Sequence, residues 1–439
     1  MTKSHTYLIN CASLPDGSTV NLAIATGKIR EISHAELDHN GDETVIDATG
    51  LLLLPGFVDL HTHLREPGRE NSETVLTGSQ AAVRGGFTAI TAMANTNPVA
   101  DSAGVVEQVA RLGREAGICD VFPIGAVSVG LRGEALAELS AMAQSAAKVR
   151  IFSDDGNCVS DPLLMRRALE YVKSFDGIIA QHAQDPALTK NAQMNEGQIS
   201  STLGLKGWPA IAEESIIARD ILMADYVGSR LHICHLSTAG GVEIVRWAKS
   251  RGMKVTAEVT PHHLLLTDDL ATSFDPIYKV NPPLRRSEDV IALRAGLADG
   301  TIDIVATDHA PHSLEDKECE WSAAAFGMIG LETAFAVVVE AMIKTGLMDW
   351  ARLTEVMSTK PAEIAGYANH GEISAHSVAN LTLVDPGEVW TVDRVLTASR
   401  SLNTPFHGME FTGKVKHTFF NGVQVVNHGE LTGRRYEES

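Results

Sequence analysis

The feature that most constrains this chain is an alternation that begins near residue 56 and ends near residue 312. Short apolar runs rich in Val, Ile, Ala and Thr recur there, each followed by a stretch with helical periodicity, which is how successive βα units read. Eight runs fit: GFVDLH (56–61), TAITAMAN (88–95), DVFPIGAVS (120–128), VRIFSD (149–154), GIIAQH (177–182), RLHICH (230–235), KVTAEVT (254–260) and DIVATD (303–308). Between them lie segments such as PLLMRRALEYVKSF, EESIIARDILMADYV and GGVEIVRWAKSRG, whose apolar residues recur three and four apart, as one buried helix face requires. Eight such units predict a (β/α)8 barrel.

Outside that range the pattern changes. Residues 1–55 and 372–439 read as short alternating strands separated by Gly, Asn and Asp turns, as in VNLAIATGKIREI and TGKVKHTFFNGVQVV. The expected architecture is α/β: a TIM-like barrel over 56–371 with a small β-sandwich domain built from both chain ends, 1–55 plus 372–439. The 439 residues accommodate both, since one barrel takes about 250. Two stretches, 186–211 and 313–330, are too irregular for barrel elements, and loops of that length often serve as functional lids.

The formal charge of −19 argues against general binding to nucleic acid or an anionic membrane, both of which need a basic face. An anionic substrate would need its own local cations. Five scattered cysteines (Cys11, Cys119, Cys158, Cys234, Cys319) contain no CxxC pair and read as buried free thiols rather than a disulfide framework or thiolate metal site. No window approaches the ~18 uninterrupted apolar residues of a membrane span. The opening MTKSHTYLIN lacks a basic start followed by an apolar core, so a cytoplasmic protein is expected.

Side chains alternate along a strand, so His61 and His63 at the end of the first run point the same way and form a ready metal chelate. Asp155 follows the fourth run, His182 ends the fifth, His235 the sixth and Asp308 the eighth. The carboxyl ends of barrel strands form one mouth, where active sites of this fold lie, so all six should meet there. Four imidazoles and two carboxylates without a thiolate favour zinc, with manganese or cobalt as substitutes, and suffice for one or two ions. Spacing alone leaves Asp154 and Asp155 equivalent. His232, three before His235, falls on the opposite strand face and reads as a satisfied core or helix-facing histidine. His262 and His263, in TPHH at the end of the seventh run, approach the mouth without a defined ligand role.

The segments GFVDLHTHLREPG (56–68), AMANTNP (92–98), FSDDG (152–156), HICHLS (232–237), EVTPHHLLLTD (258–268), KVNPPLR (279–285), VATDHAPH (305–312) and AFGMIGLET (325–333) together resemble the class I dihydroorotases of the amidohydrolase superfamily. The resemblance covers nearly the whole chain, including SLNTPFHGMEFTGKVKHTFFNG near its end, and the combination HxHxREPG, NPPLR and DHAPH separates dihydroorotases from hydantoinases and allantoinases. It implies that His61, His63 and Asp308 hold a first metal and His182 and His235 a second. Asp155, the aspartate just before the glycine, would bridge them where many relatives carry a carboxylated lysine. A direct carboxylate is shorter than a lysine carbamate, which points to one tightly held zinc and a weaker second position. The resemblance further implies that Arg65, Asn95 and His312 bind the substrate carboxylate, while Asn281 and the backbone of Phe326 and Gly327 hold the ring. A guanidinium can grip a carboxylate with two parallel hydrogen bonds, which answers the need for a local cation.

The implied reaction is reversible hydrolysis of L-dihydroorotate to N-carbamoyl-L-aspartate, a step of pyrimidine biosynthesis. Zinc lowers the pKa of bound water towards ~7 and polarises the amide carbonyl. Asp308 takes the proton from the attacking oxygen and delivers it to the leaving ring nitrogen. The resemblance also implies a homodimer and, in some relatives, association with an aspartate transcarbamoylase. Two alternatives are a hydantoinase or allantoinase, from which Arg65 and Asp155 distinguish the chain, and a catalytically dead structural homologue, which would lack ligands that are all present here.

Overall fold

Each of the eight apolar runs contains a short strand in the computed structural model, which describes residues 6–38 and 41–437. The first five residues, part of the opening on which the signal-sequence reading rests, lie outside the described residues, as do 39–40 and 438–439. The barrel strands are Phe57–Thr62, Phe87–Ala92, Asp120–Pro123, Ile151–Phe152, Ile178–Gln181, Arg230–Ile233, Val255–Val259 and Ile304–Val305. They pair in parallel as one arc of three and one of five. Single parallel bridges, Gly125 with Phe152 and Thr62 with His309, join the arcs on both sides and close the barrel. Every residue of the first two strands is buried, as expected of parallel strands covered on both faces.

All the strands but the first, which keeps His61 and Thr62, are shorter than the runs because the polar residues at the run ends leave the ladder. His235 and Asp308 have φ of 31° and 46°, a left-handed turn of the chain that ends the strand and carries the side chain over the mouth. The intervening helices follow their periodicity. In Pro162–Lys173, for example, Asp161 accepts the Leu164 N–H at 2.7 Å, Pro162 occupies the first turn, and Leu164, Met165, Ala168, Leu169 and Val172 turn inward. Full burial of each of the larger of these apolar side chains contributes roughly 1.5–3 kcal/mol.

Strands from both ends of the chain form one nine-stranded sheet, the β-sandwich part of the fold. Leu381–Thr391 lies antiparallel to Leu52–Pro55, with Leu381 opposite Pro55 and Leu383 opposite Leu53. Tyr7, Leu22, Ile24, Leu53, Leu381 and Phe419 fill its core. One residue, Gly56, separates Leu52–Pro55 from the first barrel strand, so sheet and barrel meet at a short junction.

The two irregular stretches meet above the mouth. Residues 186–211 hold a parallel two-strand ribbon, Met194–Asn195 with Gly207–Trp208, around the helix Gln198–Leu203. Residues 313–330 hold the helix Leu314–Lys317, and the Phe326 ring packs edge-on against Trp208 at 6.0 Å. Buried cations anchor both. Lys317 Nζ donates to the carbonyls of Lys279 (2.8 Å) and Ala325 (3.0 Å), and Lys279 Nζ donates to that of Trp321 (2.6 Å). Arg285 donates to Asn195 Oδ1 and the Trp208 carbonyl, both at 3.0 Å. The cations of KVNPPLR are thus structural.

Candidate metal centre and active site

The six strand-end residues converge at the mouth, all of them buried. Asp155 lies at their middle with its two oxygens divided. Oδ2 is 3.4 Å from His61 Nε2 and 3.3 Å from His63 Nε2, while Oδ1 is 3.0 Å from His182 Nδ1 and 3.2 Å from His235 Nε2. Asp308 Oδ1 faces the first pair, 3.0 Å from His63 Nε2 and 3.5 Å from His61 Nε2. Asp154 points elsewhere: its Oδ1 accepts the backbone N–H groups of Val127 (2.8 Å) and Ser128 (2.9 Å), and its Oδ2 accepts the Ser128 hydroxyl. The ambiguity between the two aspartates is local to one turn, and packing resolves it.

The donor set fits a metal. His61, His63 and Asp155 form one group of converging ligand atoms, and Asp155, His182 and His235 another. His61 Nε2 is fully buried without a hydrogen-bond partner and faces two carboxylates, a position that a cation satisfies. The electrostatics agree. Burial opposes ionisation of Asp155 and Asp308, yet the imidazoles around them, His61 foremost, hold Asp155 well below the usual carboxylate range and Asp308 at about 2. Both are anionic at neutral pH. Burial likewise disfavours charge on His61, but Asp155, Glu258 and Asp308 raise its pKa well above the usual value. These residues collect negative charge around nitrogen donors, the environment a divalent cation needs.

Sequence reasoning missed the groups behind the imidazoles. His61 Nδ1 lies 2.5 Å from Glu258 Oε1, and His182 Nε2 lies 2.6 Å from Gln184 Oε1. His63 Nδ1 lies 2.9 Å from Asn95 Oδ1, so Asn95, expected at the substrate carboxylate, also holds the His63 ring. A glutamate inside the apolar run KVTAEVT was the available signal for Glu258. His232 is satisfied in the core by Thr256 Oγ1 (2.8 Å) and Glu258 Oε2 (3.0 Å). His263 contacts the Pro282 carbonyl at 3.2 Å, and burial lowers His262 to about 4, so His262 is neutral.

Beside the centre, Arg65 is buried with a φ of 63°. Its Nε donates to the Pro311 carbonyl at 3.0 Å. Glu66 turns away to accept the Val75 N–H at 2.8 Å, and no carboxylate among the described residues forms an ion pair with Arg65. Burial lowers Arg65 only to about 10, so it stays charged at neutral pH. Burial and then the Arg65 charge push His312 down to about 3; as a neutral ring it donates from Nε2 to the Phe326 carbonyl at 2.8 Å. The Gly327 N–H donates to the Lys279 carbonyl at 3.0 Å. With φ of 144°, and with any Cβ lying 2.7 Å from His312 Nε2, position 327 requires glycine. Asn281 Nδ2 donates to Gln184 Oε1 at 3.1 Å, while its Oδ1 is buried and unpartnered.

A closed (β/α)8 barrel with a β-sandwich domain and a buried histidine–aspartate centre at its mouth defines an amidohydrolase. A family model described as dihydro-orotase-like matches residues 50–240. The chain is 63% identical to a dihydroorotase of Streptomyces coelicolor, over 97% of this chain and 99% of that one. It is 52% identical to a dihydroorotase of Mycobacterium tuberculosis, over 95% and 97% of the two chains. Among solved structures it resembles an L-hydantoinase (dihydropyrimidinase) from Arthrobacter aurescens, with a TM-score of 0.88, 27% identity and 98% of each chain covered. The chain belongs to the dihydroorotase family. No helix among the described residues is long and apolar enough to cross a membrane.

Proposed function

We propose that this protein is a zinc-dependent dihydroorotase that interconverts L-dihydroorotate and N-carbamoyl-L-aspartate. The observation that carries this reading is the buried guanidinium of Arg65, free of any carboxylate ion pair among the described residues, beside a centre whose Asp155 oxygens are shared between two histidine pairs. His61, His63 and Asp308 would hold one zinc and His182 and His235 the other, with Asp155 serving both. Bound there, zinc activates water and polarises the amide carbonyl.

The chain's own groups do the rest. Arg65 supplies the charge that pairs with the substrate carboxylate, and its Nε bond to Pro311 fixes the fork. Asn95 and His312 complete that contact, and the unpartnered Oδ1 of Asn281 accepts from a ring N–H. For His312 and the Phe326–Gly327 backbone to reach substrate, their present bonds to Phe326 and Lys279 are exchanged for bonds to the ligand. Asp308, ionised and 3.0 Å from His63 Nε2, takes the proton of the attacking water as the C–O bond forms. It returns that proton to the ring nitrogen as the C–N bond breaks, and ring closure runs through the same steps in reverse.

The test is ring opening followed by ultraviolet absorbance, with the zinc-loaded protein given L-dihydroorotate, hydantoin and allantoin in turn. Opening of dihydroorotate alone, lost on chelation and in Asp308→Asn while zinc stays bound, is the expected result. Turnover of hydantoin in preference, or near-normal activity of Asp308→Asn, would overturn the assignment.

A further inference from the structure

The two halves of the centre differ in what stands behind their imidazoles. Behind His61 is a carboxylate: Glu258 Oε1 is 2.5 Å from His61 Nδ1 and also accepts the His235 backbone N–H at 3.1 Å, while Oε2 is 3.0 Å from His232 Nε2. Behind His182 is an amide: Gln184 Oε1, 2.6 Å from His182 Nε2, also accepts from Asn281 at 3.1 Å, and Gln184 Nε2 donates to Thr189 at 2.9 Å. His63 also faces an amide, that of Asn95 at 2.9 Å, so the contrast between the halves rests on Glu258. An anionic acceptor polarises the imidazole N–H and makes the opposite nitrogen a stronger metal donor. A neutral amide fixes the same tautomer without adding charge.

We propose that Glu258 is a positioning residue that makes the His61–His63 half the tighter metal position, and that the amide at Gln184 keeps the His182–His235 half the weaker. This rests on the reading above that both halves hold zinc. It differs from an explanation by the length of the Asp155 bridge, because it predicts that each affinity moves separately with its own partner.

The experiment is a zinc titration of the metal-stripped full chain in competition with a chromophoric chelator, for wild type, Glu258→Gln, Gln184→Glu and the double exchange. The wild type should bind in two steps of unequal affinity. Glu258→Gln should weaken the tight step about 10- to 100-fold and leave the weak one in place. Gln184→Glu should tighten the weak step about tenfold or more, since the Asn281 amide still donates to a carboxylate there and the Thr189 hydroxyl can turn to do so. A gain of affinity is something structural damage does not produce, so Gln184→Glu decides the matter even if Glu258→Gln fails to fold. The double exchange should reverse the order of the steps. Equal steps in the wild type, or a weak step unmoved by Gln184→Glu, would overturn the inference while zinc binding and dihydroorotate opening stand. Absence of both zinc binding and ring opening would overturn the proposed function with it.

Discussion

Arg65 is held by a backbone carbonyl rather than by an acid, so its charge is available for a ligand. Charge-assisted hydrogen bonds are worth about 1.5–3 kcal/mol each, so Arg65→Gln should raise KM for dihydroorotate by roughly 10- to 100-fold. The kcat should fall far less, because Asp308 and the histidines keep their own contacts. Steady-state kinetics with dihydroorotate and with dihydrouracil, the same ring without the carboxylate, check this: the loss should be confined to the charged substrate. Equal losses on both would make Arg65 a structural residue. At this scale the strand-end rule made His61, His63, His182, His235 and Asp308 readable, because a barrel fixes where its strands end. It did not separate Asp155 from Asp154, since the choice depends on which carboxylate the Val127 and Ser128 amides capture from a neighbouring strand end. Glu258 showed only as a glutamate within an apolar run and Gln184 not at all, for a related reason: a partner behind an imidazole is set by the neighbouring strand and loop, which no spacing along one strand reports.

Among the elements, the eight strands were legible in type and order, while their ends were not, because left-handed turns at His235 and Asp308 cut the ladders short of the apolar runs. The segment 313–330 read as irregular and is nonetheless ordered, through ammonium groups placed under its carbonyls. Lys317 is buried near Lys279, Asp275 and Cys319, and burial followed by the Lys279 charge lowers it from 10.5 to about 7. The unfolded chain keeps the proton up to 10.5, so between these values it binds more protons than the folded protein, and stability rises with pH. This contribution is complete above the unfolded value and gone below about 7. Lys317→Met lacks that titration. The melting temperature of the wild type minus that of Lys317→Met should therefore increase from pH 6.5 to pH 9, as calorimetry across about that range reads directly. A flat difference would mean that the carbonyls of Lys279 and Ala325 keep the ammonium charged throughout.

At the scale of the whole molecule, the chain's C-terminal part does more than finish a sheet. Between the strands Leu381–Thr391 and Glu410–Phe420, the stretch SLNTPF returns to the back of the active site. Asn403 Oδ1 accepts the His312 N–H at 3.2 Å, and its Nδ2 donates to the carbonyls of Ala310 (2.9 Å) and Gly327 (3.2 Å). One side chain thus clamps the DHAPH turn to the GMIG turn, which between them carry His312 and Gly327. Ser399 and the Arg400 N–H meanwhile hold Glu73 beneath His309. Sheet and barrel are therefore one functional unit, although their hydrophobic patterns read as separate. Asn403→Ala leaves a buried N–H and two carbonyls without their partner, a loss of about 1–3 kcal/mol in stability. It also frees the two turns against each other. Substrate contacts at His312 and Gly327 should weaken, raising KM about tenfold for each ~1.4 kcal/mol lost there. The kcat should stay within a few-fold, because Asp308 is fixed independently by the Thr307 clasp on Asp59 and by His63. Denaturant melts together with KM and kcat separate the two effects. A fall in kcat with KM unchanged would mean that SLNTPF acts on the metal centre itself rather than on the substrate-binding turns.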